Sequence, residues 1–380
     1  MSDRRNDSLQ STGSTLTSCS SEHSSELYEG AIKPATESIE KSDTSLQDLV
    51  DAAEKIIKEK FTPDPRSTYA YTKGRKKTSV QLDQVMIAML ACAEECGGEK
   101  GKRYVASAVI ACSQEEDVVG ALEALGTTWL THFLFVFKTG RGHSSQPSDE
   151  PSEVLVRDGY KCVLTGFQDI THPNIDANIL VVDLGVAHIL RRAIGEFNPD
   201  HKSKSFKSAA TTFDILVNFT HLPVKTLQDL RDQLDDASNG MTLEMNAHDG
   251  FDNFRWCLKR TETEHVYELK IFNDVGILKK PANNRVSFED HSNQFPLDYT
   301  DKERSPVKLP DPCFIAIHAA IAGILHMSGA GKFFDELLDD YRDDEGKVPA
   351  VRSWSELEAL MGEQLMREAI IQGFQSVDVY

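Results

Sequence analysis

Two histidines, an asparagine and an aspartate stand in an order that could hydrolyse a phosphodiester: His188, then Asn239, then His248 and Asp252. Such cleavage needs a base that takes a proton from water and a cation that neutralises charge developing on the phosphate and the leaving oxygen. Histidine titrates near neutrality and suits the first task once something orients its ring. An Asn side chain on a neighbouring loop can supply that contact, the role expected of Asn239. A second His, or a carboxylate, on a following helix can hold the cation, which makes His248 and Asp252 the expected metal ligands. Each residue alone also has a plainer reading: His188 as part of an apolar core strand, and Asn239-Gly240 as turn chemistry.

The elements that must position these side chains are a strand, a loop, a second strand and a helix. His188 ends a strand-like run over residues 179–189, Asn239-Gly240 opens a turn, residues 241–245 read as the second strand, and His248 sits at the start of a short helix over 247–254. Residues 160–165 favour a further strand. Periodicity predicts helices over 213–218 and 224–234, within a segment inserted between His188 and Asn239 from about 192 to 236. Alternation around Trp256 and Leu258, then Tyr267, Leu269 and Ile271, predicts a β-hairpin.

Around this region the pattern is helical. Residues 1–44 are Ser/Thr-rich with few large apolar side chains and read as a disordered tail. Residues 45–138 read as a helical N-terminal region, starting at an N-cap Ser45, with a stop at Gly97-Gly98 and a basic connection ending in Lys73-Gly-Arg-Lys-Lys77. Residues 139–152 have the composition of a linker. A mixed domain follows at 153–275, then a loop-rich stretch and C-terminal helices at 276–380. The expected class is α+β.

With 60 acidic and 41 basic side chains the formal net charge is −19, so attraction to a polyanion would have to come from a local basic patch. Arg191, Arg192, Lys202 and Lys204 could form one; a solvated loop face is the competing reading. The seven cysteines contain no CxxC pair, which suits free thiols in a reducing, intracellular compartment. The first residues lack the apolar run of a signal peptide, and the longest uncharged stretch, 313–330, reads as a buried helix rather than a membrane span.

Taken together, Arg157-Asp-Gly-Tyr-Lys-Cys162-Val-Leu-Thr165-Gly166, Ala187-His188-Ile189, residues 239–243, His248 with Phe251-Asp252, and Trp256-Cys-Leu258 resemble the HNH endonuclease family, specifically a branch found in fungal proteins. The resemblance covers about residues 154–272. It implies an HNH ββα-metal nuclease core with an inserted helical segment, flanked by N- and C-terminal helical regions, and metal-dependent hydrolysis of DNA. By motif, His188 would activate water, Asn239 would orient it and His248 would bind the ion, Mg²⁺ first, with Mn²⁺ or Zn²⁺ as alternatives. Cys162 and Thr165 would belong to the structural motif. The chain departs from the family where many members carry an Asp directly before the first His: that position is Ala187. The competing class is a catalytically silent HNH-like module that binds nucleic acid or protein.

Overall fold

The computed structural model describes residues 14–16, 20–73, 76–139, 152–195, 200, 203–273, 279–295, 304–341, 351, 353–363 and 366. A short strand, β1 (Ser14–Leu16), precedes helices α1 (Ser21–Leu27) and α2 (Lys33–Glu40), which are joined by a π-helical turn at Tyr28–Ile32. The expected tail through residue 44 is therefore corrected for residues 20–44. Tyr28 and Ile32 are fully buried, and the Tyr28 hydroxyl donates to Asp214 Oδ2 at 2.9 Å while lying 2.8 Å from the Tyr104 hydroxyl. A few well-spaced large side chains thus offset an ordering cost that the average composition suggested would go unmet.

Helix α3 (Leu46–Ile56) begins at Ser45, whose side chain accepts the Asp48 amide at 3.1 Å. The basic connection beyond it is a hairpin, β2 (Thr68–Lys73) with β3 (Lys76–Gln81), and β1 adds to the other edge of β2. Lys76 pairs with the Asp340 carboxylate at 2.7 Å and Lys73 donates to the Asp340 carbonyl at 2.8 Å, so two cations of this cluster are engaged by the C-terminal region. Helix α4 (Leu82–Cys112) continues past Gly97, but Gly98, at φ 58° and ψ −154°, breaks it where the glycine pair predicts a stop. Next come α5 (Val118–Thr128), a π-helical turn at Trp129–Leu134 and α6 (Phe135–Lys138). By length and composition Val118–Lys138 could cross a bilayer, yet 78% of its apolar window is buried inside the protein, the condition of a core helix. Apart from its end residues 139 and 152, the expected linker lies outside the described residues.

Helix α7 (Glu153–Arg157) leads into a turn rather than the strand expected over 160–165. Gly159, Tyr160 and Gly166 have left-handed φ values of 68°, 53° and 72°, incompatible with an extended run. Two-residue strands β4 (Gln168–Asp169) and β5 (Val181–Val182) pair in parallel. Strand β6 (Leu184–His188) is followed by the inserted helices α8 (Lys204–Thr220) and α9 (Leu227–Leu234), then by β7 (Gly240–Glu244), which runs antiparallel to β6 with His188 opposite Gly240. Helix α10 (Met245–Asp252) begins directly after β7. Strands β8 (Trp256–Arg260), β9 (Val266–Ile271) and β10 (Arg285–Ser287) form an antiparallel sheet in the order β10-β9-β8. Helices α11 (Pro312–Ser328) and α12 (Ala330–Asp339) follow, with a further helix over residues 354–363.

A single apolar cluster runs from Tyr28 to Met361, because α11 packs along both α4 and β8. At the opposite side of the central region, the backbone of α4 at Gly97 and Gly101 approaches the Phe219 carbonyl of α8 so closely that a Cβ at either position would collide with it. Side-chain size at these two glycines thus fixes how near the insertion lies to the N-terminal helices.

Strand β7 is held from behind by one residue. The fully buried Arg157 pairs with Asp158 at 2.8 Å and donates to the carbonyls of Ala237, Gly240 and Lys308 at 2.7–2.9 Å. Asp158 in turn accepts the Thr242 amide at 2.8 Å. An ion pair taken out of water is costly unless its remaining hydrogen-bonding groups are satisfied, and removing one partner strands the other. Arg157→Ala is accordingly expected to lower unfolding free energy by about 3–5 kcal/mol, measured by denaturant titration; a loss below about 1 kcal/mol, the size of an exposed ion pair, would contradict this account.

Candidate active site

The antiparallel pair β6–β7 and helix α10 bring the predicted residues around one edge. His188 closes β6, and the loop after it is fixed by Asn239. The Ile189 amide donates to the Asn239 carbonyl at 2.8 Å, the Leu190 amide donates to Asn239 Oδ1 at 2.8 Å, and Asn239 Nδ2 donates to the carbonyls of Leu190 and Leu234 at 2.8 and 2.9 Å. Asn239 is entirely buried. The expected contact with the His188 ring is thus corrected: with its donors and acceptor spent on backbone, Asn239 orients the segment that carries His188.

Helix α10 is only eight residues long, and its start is fixed by Glu244, whose carboxylate accepts the Asn246 and Ala247 amides at 2.8 and 2.9 Å. That cap sets the rotation of the helix and places His248 over β6, where a side chain at Gly185 would press within 3.2 Å of its Nδ1. One turn on, Asp252 Oδ2 lies 3.6 Å from His248 Nε2. Position 187 falls on the same face of β6 as Gly185, so the methyl of Ala187 stands on the side of the strand that His248 covers. Asp252 supplies a carboxylate from the helix instead. Asp183 is exposed.

His188 and Asp252 line a common small cleft with Phe137, Arg191, Phe254 and His318. Burial lowers the His188 pKa below the ordinary imidazole value; Arg192 and His248 act in the same direction, against Asp252 and Asp235. The ring is therefore neutral at physiological pH with a lone pair to accept a proton. Among the described residues no side chain hydrogen-bonds it.

The expected basic patch is divided by the structure. Arg191 is buried and donates to the carbonyls of Lys138 and Thr139 at 3.0 and 2.8 Å and to the carbonyl of Asp252, so the expectation that it contacts DNA is corrected: it is an internal tie. Arg192 is exposed beside His188, paired with Asp235 at 2.7 Å. Lys204 opens α8 and pairs with Glu22 at 2.8 Å, and Lys202 lies outside the described residues. Cys162 and Thr165 are buried in the turn before β4, where the Thr165 amide reaches the Cys162 sulfur at 3.4 Å and the Thr165 hydroxyl accepts the Phe167 amide at 3.3 Å.

Residues 162–259 match the family model described as HNH endonuclease. That stretch is an HNH-family domain. No curated protein and no solved structure matches the chain. The match takes in His188, the whole helical insertion, Asn239, His248, Asp252 and all but the last residue of strand β8, and it stops short of Arg157 and of α11. HNH nuclease domains typically act on nucleic acid and use a divalent metal. Among the described residues of this HNH domain and its flanks no three His, Cys, Asp or Glu side chains converge as a metal shell. His248 and Asp252 present one imidazole nitrogen and one carboxylate oxygen 3.6 Å apart.

Sequence reasoning assigned His318 and His326 no role in the site. His318 is stacked on Phe251 and Phe254, with ring centroids 3.7 and 4.6 Å away. In the sequence it stands as a polar residue interrupting an otherwise apolar helix.

Two outcomes are expected here. Asn239→Asp keeps shape but places a carboxylate against the carbonyls of Leu190 and Leu234; loss of about 2–4 kcal/mol in stability follows from the removed donors and the buried charge, read by thermal unfolding, and an unchanged transition would refute the tethering role. Burial pushes His318 down from 6.5 to about 3. The unfolded chain thus takes up a proton below pH 6.5 that the folded one refuses, and stability is full above that pH and lost as pH falls. Denaturant unfolding should show His318 costing about 2 kcal/mol by pH 5, with His318→Gln flattening that dependence.

Proposed function

We propose that this protein is an intracellular, metal-dependent endonuclease that hydrolyses DNA phosphodiester bonds, with His188 as the general base. The observation that carries this reading is the placing of His248 and Asp252 3.6 Å apart on α10, with Asp252 close enough to His188 to act on its ring. Nitrogen and carboxylate donors for a hydrated Mg²⁺ or Mn²⁺ thus adjoin an imidazole kept neutral by its surroundings. His188 takes a proton from water as the water oxygen bonds to phosphorus, and the bond from phosphorus to the leaving sugar oxygen breaks. A divalent ion held by His248 and Asp252 would neutralise the charge gathering on the phosphate oxygens. Asn239 keeps the 189–190 backbone in place during this transfer. Arg192 acts on His188 and faces solvent, and release from Asp235 would free it for a phosphate.

One observation favours a second reading, a silent module that binds nucleic acid or protein: Ala187 offers no ligand, and only two protein donors remain. Supercoiled plasmid incubated with the full chain and Mg²⁺ or Mn²⁺ separates the two. Nicking is expected, falling about 10²–10⁴-fold in His188→Ala, with the acid limb of the rate profile lying below the ordinary imidazole pKa. Equal nicking by both proteins would remove His188 as the base. Retention of plasmid without cutting, abolished in Arg192→Ala, would establish the silent module instead.

A further inference from the structure

Three carbonyls at and just beyond the end of α10, those of Phe251, Asp252 and Phe254, each accept a side-chain donor from a distant part of the chain. His318 Nε2 donates to the Phe251 carbonyl at 3.2 Å, Arg191 donates to the Asp252 carbonyl, and His326 Nε2 donates to the Phe254 carbonyl at 2.7 Å. Carbonyls at a helix end lack intrahelical partners and attract such donors. Phe254 adopts a left-handed φ of 57°, which turns the chain sharply away and leaves this end without a continuing helix. A carbonyl oxygen only accepts, so both imidazoles carry their proton on Nε2.

The donors are themselves anchored. His318 and His326 lie two turns apart on α11, and Arg191 is bound to the carbonyls of Lys138 and Thr139. His326 lies flat on Phe272, with a 4.3 Å centroid separation and a 3° interplanar angle. Buried His318 Nδ1 has no partner among the described residues. A leucine would fill that apolar slot without an orphaned nitrogen, so packing alone does not account for histidine there; the donor to Phe251 does.

We propose that His318 and His326 are positioning residues of the nuclease site, holding with Arg191 the backbone frame on which Asp252 is mounted beside His248. This inference rests on the metal-dependent reading above. It makes helix α11, outside the matched HNH segment, part of the site.

The test compares His318→Leu, which keeps volume and loses the donor, with His318→Gln, whose amide can replace Nε2–H, in the full chain. His326→Leu and His326→Gln form a second pair at a less buried position. If the native protein nicks plasmid, each Leu variant should lower kcat about 10–100-fold with KM for DNA unchanged, and the matching Gln variant should recover most of it. Native kcat in both Leu variants overturns the proposal, as does a loss that tracks melting temperature and is not rescued by Gln. If the native protein does not nick, the nuclease reading fails by itself. Hydrogen exchange of the 250–255 amides then decides: faster exchange confined to that segment in the Leu variants and reversed by Gln supports the frame, and unchanged exchange overturns it.

Discussion

The buried ion pair of Arg157 and Asp158 is the constraint on which the central region depends. One guanidinium joins three stretches of chain: the turn after α7, the entry to β7 at residues 237–240, and the C-terminal connection at residue 308. Its partner carboxylate then fixes the Thr242 amide in the middle of β7. Strand β7 is five residues long and pairs with β6 alone in its sheet, and a two-stranded unit of that size is marginal in water. The ion pair is expensive to bury, but with these carbonyls and this amide satisfied it replaces the missing neighbouring strand. Since β7 sets the register of β6, it also sets where His188 stands.

Short elements recur around the site, and each is stabilised by side chains from outside it. Helix α10 has about two turns, too few to persist alone. Its first amides are held by Glu244, its interior carbonyl at Ala247 accepts the Trp256 indole at 2.9 Å, and its final carbonyls are held by Arg191 and His318. The loop after β6 is treated in the same way by Asn239. Rigidity at His188, His248 and Asp252 is thus borrowed from hydrogen bonds made by neighbours, which is how a site can be preorganised on elements with little stability of their own.

Much of this plan was legible from local pattern. Alternation located the hairpin at Trp256 and Ile271, periodicity located the insertion, and the order of His188, Asn239, His248 and Asp252 pointed to one site before any contact was known. What failed was whatever depended on distant partners. The composition of residues 20–44 concealed Tyr28 because its value comes from Asp214 and Tyr104, far along the chain. Residues 160–165 carry β-prone side chains, yet their left-handed neighbours make a turn. Arg191 looked like a surface cation by type; only the carbonyls of Lys138, Thr139 and Asp252 show that its charge is spent inside. For Asn239 the sequence suggested a contact with the His188 ring, and the structure shows ties to the backbone of Leu190 and Leu234 instead, since sequence order does not distinguish a side chain that touches His188 from one that ties the next two residues.

Ala187 gains a physical meaning from this geometry. On the face of β6 that His248 covers, a carboxylate at 187 would come from a strand whose position is set by β7 and Arg157. The carboxylate that remains, Asp252, comes from the end of a two-turn helix, where the chain is about to reverse and fraying is easiest. Moving a ligand from a strand to a helix end transfers the burden of positioning from the β6–β7 ladder to whatever holds that end. In this chain the holders are Arg191, His318 and His326, two of them on α11. On the reading proposed above, the helices that flank the HNH domain share its core for a reason beyond stability: without them, the carboxylate that pairs with His248 would hang from an unsecured helix terminus.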